Sequence, residues 1–74
     1  MSDVIEGKML TINGVAEPLD APTVAALLAA REIAPDGRGV AVAVNGALVR
    51  RADWATTALR AGDTVEIVRA MQGG

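Results

Sequence analysis

Cysteine and histidine are both absent from the 74 residues. Their absence excludes disulfide cross-links, thiolate chemistry and the usual zinc ligands together. Phenylalanine and tyrosine are missing as well, and Trp54 is the single aromatic residue. A chain so poor in aromatics has no platform for stacking nucleobases. Its formal net charge of −2 gives no electrostatic pull on a phosphate backbone either. No apolar run approaches the ~20 residues that cross a bilayer. The opening Met1-Ser2-Asp3-Val4-Ile5-Glu6-Gly7 has neither the basic start nor the apolar stretch of a signal peptide. These absences predict a soluble, cytoplasmic protein with no metal, no nucleic-acid partner and no membrane.

What is present is aliphatic. Half the chain, 51%, is apolar, and nearly all of that is Ala, Val, Leu and Ile. At this length there is room for one domain with a modest core. Nothing is left over from which to build an internal active site.

The pattern along the chain divides it into a leader over residues 1–8, a folded domain over 9–69 and a flexible tail over 70–74. From Met9 to Asn13 the residues alternate, with Leu10 and Ile12 on one face, as a half-buried strand requires. Asn13-Gly14 then predicts a two-residue type I′ hairpin turn, which needs φ > 0 at both positions. The return strand, Val15 to Leu19, contains Pro18, which donates no hydrogen bond and so marks an edge strand. Thr23 is placed to cap a helix reaching about Glu32. Val24, Leu27 and Leu28 form its apolar stripe, Arg31 continues that stripe as a snorkelling stem or marks its end, and Pro35 and Gly37 stop the helix. After a loop over 34–39, Val40-Ala41-Val42-Ala43-Val44 reads as a strand, its valine side buried and its alanine side near the partner layer. Asn45-Gly46 supplies a second type I′ turn into a short strand, Ala47 to Arg50. Residues 51–61 read as irregular or as one helical turn, anchored to the core by Trp54 and Leu59. Gly62-Asp63 makes a turn, and Thr64 to Arg69 alternates again with Val65 and Ile67 inward. A hairpin, a helix, a second hairpin, a crossing segment and a last strand give an α+β, ubiquitin-like β-grasp layout. Its four- to five-stranded mixed sheet has one covering helix, and the connection through that helix is right-handed if its strands run parallel.

Most polar residues in this layout have ordinary roles. Asp63 suits a turn and Glu66 a solvated strand position, and with Asp53 they form no spaced carboxylate pair. Arg50-Arg51 fits a solvated hairpin end or a contact with an anion or partner, the first being commoner. Gly37-Arg38-Gly39 lacks the Lys-Ser/Thr and the following helix of a phosphate loop. No Ser or Lys has an evident base beside it. The tail is different. Two glycines would end a chain of this glycine content by chance about once in 80 cases, so Gly73-Gly74 taken alone is a moderate signal. Its position directly after a core-anchored strand strengthens it. Five extended residues reach at most about 17 Å. Without Cβ atoms, Gly73 and Gly74 can thread a narrow channel in another protein. An unhindered terminal carboxylate can be activated as an acyl-adenylate, but only by a partner, since no nucleotide-binding motif occurs here. The chain is thus expected to be a carrier rather than an enzyme, with no bound cofactor and with ATP used by its partner.

Several stretches, in order and spacing, resemble the sulfur carrier proteins of thiamine biosynthesis, the ThiS family. They are Ile12-Asn13-Gly14, Thr23-Val24-Ala25-Ala26-Leu27-Leu28, Val40 to Gly46, Arg51-Ala52-Asp53-Trp54, Leu59 to Asp63, Val65-Glu66-Ile67-Val68 and Met71-Gln72-Gly73-Gly74. The resemblance runs from Met9 to Gly74. It implies that an adenylating, E1-like activating enzyme modifies Gly74, that a sulfur-donor protein converts the terminus to a thiocarboxylate, and that thiazole synthase takes the sulfur. Gly74 would be the covalent carrier terminus and Gly73 its flexible neighbour. Other readings stay open: a sulfur carrier for another pathway such as molybdopterin synthesis, a ubiquitin-like modifier joined to lysine, or an interaction domain with an inert tail. The lack of phenylalanine argues against the molybdopterin type.

Overall fold

The structure is a computed structural model that describes residues 9–33 and 38–69. The elements are β1 (Met9–Ile12), β2 (Val15–Pro18), α1 (Val24–Ala30), β3 (Val40–Val44), β4 (Ala47–Val49), a 3-10 helix η1 (Arg51–Thr56) and β5 (Thr64–Arg69). The five strands form one sheet in the order β2-β1-β5-β3-β4. Two antiparallel hairpins, β1–β2 and β3–β4, flank the last strand, which runs parallel to β1 and antiparallel to β3. It follows that β2 and β3, joined through α1, run in the same direction without being neighbours.

Both hairpins turn where Asn-Gly requires. Asn13 and Gly14 have φ of 52° and 84°, and Asn45 and Gly46 have 53° and 86°, the left-handed pair of a type I′ turn. Pro18 lies on β2 at the sheet edge, paired only toward Met9, where its missing N–H removes no ladder bond.

Thr23 caps α1 as its sequence position suggests, the Oγ1 accepting from Ala26 N at 3.1 Å. The other end departs from expectation. The helix stops at Ala30 with Arg31 as its C-cap, short of Glu32, while Pro35 and Gly37, expected to stop it, lie outside the described residues. Glu32 turns left-handed, with φ 63°. Its N–H donates to Ala29 O at 3.0 Å and that of Ile33 to Leu28 O at 3.0 Å. These are the two bonds of a Schellman cap, with Leu28 and Ile33 forming its apolar contact inside the core.

The core lies between α1 and one sheet face. Val24, Val42 and Val65 are wholly buried there, with Leu10, Ile12, Leu27, Leu28, Ile33, Trp54 and Leu59 around them. Trp54 sits on η1 and donates from its indole Nε1 to Val49 O at 3.0 Å, so its one polar atom is satisfied inside apolar packing. Arg31 extends from the helix end to β2, where Nη2 contacts both carboxylate oxygens of Glu17 at 2.7 Å. The alanine side of β3 does not meet a second layer. Ala41 is exposed and Ala43 half-buried on the opposite face of the sheet, which no other described element covers. Small side chains make such exposure inexpensive, since little apolar area is left in water.

Candidate functional site

Gly73 and Gly74, the residues singled out by sequence, lie outside the described residues, as does the whole of 70–74. What the structure places is the strand leading to them. β5 is central and is held on both sides. Toward β3 it is paired from Val65 to its end, from Val44↔Val65 to Val40↔Arg69. Toward β1 the pairing covers only Thr11↔Thr64 and Ile12↔Val65, because β1 then turns away at Asn13.

Both Asn-Gly turns take hold of this strand. At its start, Asn45 N donates to Thr64 O at 2.7 Å. The Asn45 side chain accepts from Thr64 N and donates to Asp63 Oδ1, both at 2.9 Å. Toward its end, Asn13 N donates to Val65 O at 2.9 Å. The Asn13 side chain then accepts from Ile67 N at 2.8 Å and donates to Ile67 O at 3.2 Å. A primary amide here stands in for the peptide group that β1 would have supplied had it continued. From sequence, both asparagines are expected only as turn residues. The available signal is that glycine or aspartate serves a type I′ turn as well, so asparagine at both first positions leaves its amide to be explained.

The C-terminal end of β5 comes out beside the C-terminal end of α1. Asn13, Ile67 and Arg69 line a polar groove there with Ala30, Arg31, Glu32 and Ile33. On the opposite, open face, Val68 pairs beside Ala41 and Leu48 beside Ala43. Leu48 is 70% exposed and Val68 61%. An apolar strip across β4, β3 and β5 therefore flanks the end of the last strand.

The remaining polar candidates are not brought together. Asp63 closes the turn before β5, its Oδ2 accepting from Arg60 N at 2.8 Å. Glu66 is exposed on the open face. Asp53 lies in the first turn of η1, 3.7 Å from Arg50 Nε. Among the described residues no cluster of acidic side chains is arranged to hold a metal ion, and no helix is long and apolar enough to cross a membrane.

A mixed five-stranded sheet wrapped on one helix, with two hairpins joined through a central last strand, defines a ubiquitin-like β-grasp protein. The model of the ThiS family matches residues 5–74, beginning four residues before the Met9 expected from sequence, and the chain belongs to that family. Among solved structures it is similar to the thiamine biosynthesis protein ThiS from Geobacter metallireducens. The identity is 33% and the TM-score 0.73, over 89% of this chain and 99% of that one. No curated protein matches.

Proposed function

We propose that the chain is a sulfur carrier of thiamine biosynthesis, working in the cytoplasm, with the carboxylate of Gly74 as the group that is loaded. In the first step a carboxylate oxygen attacks the α-phosphorus of ATP, pyrophosphate leaves, and an acyl-adenylate forms. A partner enzyme supplies this catalysis. In the second, a sulfur nucleophile from a donor protein adds to the acyl carbon and AMP departs. With hydrosulfide as the nucleophile, a C–S bond replaces the C–O bond and nothing is oxidised or reduced. Thiazole synthase is the consumer of the thiocarboxylate sulfur. The chain is a co-substrate in each step and holds no cofactor, while Gly73 keeps the approach to the terminus slim.

Family membership supports this reading, and one structural observation carries it. The strand that precedes the diglycine is the central one, paired on both sides. A terminus hung from that strand is referred to the rigid body with the fewest loose links, which is what delivery into a partner's active site requires. The apolar strip of Leu48 and Val68 around Ala41 and Ala43 is the docking face on this reading, since it borders the same strand.

The test is intact-protein mass spectrometry after incubation with the activating enzyme, ATP and sulfide. Replacement of one oxygen by sulfur at the C-terminus supports the carrier. Attachment through Gly74 to a lysine of another protein supports a modifier instead. An unchanged mass with an enzyme that is active on its own carrier refutes both.

A further inference from the structure

We propose that Asn13 is a positioning residue for the reaction at Gly74, acting through the main chain of Ile67. The inference rests on the carrier reading and adds to it a residue that determines how the terminus is presented.

β1 supports the neighbouring edge of β5 only as far as Val65. Beyond that point, among the described residues, this edge is held by the Asn13 side chain, whose amide accepts from Ile67 N and donates to Ile67 O. Together with the bond from its own N–H to Val65 O, Asn13 holds two alternate residues of the strand, Val65 and Ile67. Ile67 stands seven residues before Gly74. The direction in which β5 leaves the sheet is therefore fixed from one side by β3 and from the other by this amide. Releasing the amide widens the range of directions open to the strand end. It thereby dilutes the carboxylate at the point of attack, without touching the docking face.

Asn45 is a control built into the same fold. It occupies the same position of the same turn type, with φ 53° against 52°, and its side chain also bonds β5, but at Thr64, where the strand begins. A purely structural role predicts equal effects at the two sites, whereas positioning predicts unequal ones. Glycine tolerates the left-handed angle at both and removes only the amide.

The experiment compares the full-length wild-type chain with N13G, N13D and N45G. Hydrogen exchange followed by NMR reads the Ile67 amide, and pyrophosphate release with the purified activating enzyme reads kcat and KM for the carrier. In N13G, Ile67 loses protection while Val65 keeps it, and kcat falls roughly ten-fold with KM within about two-fold of wild type. N13D retains an acceptor for Ile67 N but sets a carboxylate against Ile67 O, and gives an intermediate fall. N45G stays within about two-fold of wild type in kcat. Equal losses in N13G and N45G overturn the proposal, as does a wild-type kcat in N13G. If N13G does not fold, a wild-type kcat in N13D does the same. No turnover of the wild-type chain refutes the carrier reading itself, a result distinct from unchanged turnover in the variants.

Discussion

Glu32 is the residue whose conformation most contradicts its type. At φ 63° it occupies the left-handed region, where a side chain crowds the following carbonyl and costs about 1–2 kcal/mol. Glycine avoids that crowding, though it loses more freedom on folding. E32G is therefore expected to stabilise the protein by about 0.5–1 kcal/mol. In a domain this small, that raises Tm by roughly 2–8 °C in calorimetry. An unchanged or lower Tm would mean that the Glu32 side chain contributes something its geometry does not reveal. Trp54 sits at the other extreme, a residue well matched to its place. W54F keeps the ring but withdraws the donor from Val49 O and leaves space behind. The expected cost is about 2–3 kcal/mol in urea unfolding followed by circular dichroism. A loss near zero would show that water replaces the indole N–H at no cost.

At the scale of the elements, the open sheet face carries the sharpest expectation. Leu48 and Val68 are so exposed that charging either should alter stability by no more than about 0.5 kcal/mol. If this face docks the activating enzyme, L48E and V68E each raise KM for the carrier roughly ten-fold or more. Unaltered kinetics in both variants would remove the strip from the interface. The elements themselves were legible in the residues for local reasons. Alternation at Leu10 and Ile12 or at Val65 and Ile67, Asn-Gly at two turns, and Pro18 on an edge each act within a few positions. Three features were not legible, and in each a distant or unfavourable interaction decides. The end of α1 is set by Glu32 in a conformation its propensity opposes. The run of Val40 to Val44 is apolar on both sides, yet only the valines meet a layer. The seating of β5 between β1 and β3 joins residues 53 apart, such as Thr11 and Thr64, through no local pattern. For the site, Gly73-Gly74 could be read as a pattern, while the amides of Asn13 and Asn45 could not. A turn preference accounts for those residues completely until the strand beside them is seen.

For the molecule as a whole, the carrier reading separates stability from function at the C-terminus. Deleting Gly74, or adding one residue after it, is expected to abolish sulfur loading while leaving Tm within about 2 °C, because the five residues after Arg69 follow the last core position. Thiocarboxylate on a chain lacking Gly74 would refute the assignment of the terminus, and a large fall in Tm would show those residues to be part of the fold. The placing of β5 has a further consequence for biosynthesis. The two hairpins are stitched together by a strand that is synthesised after both of them, so a chain cut short before Thr64 is a pair of unjoined halves with no completed sheet. On the carrier reading, the order of synthesis thus puts completion of the sheet before the group to be loaded.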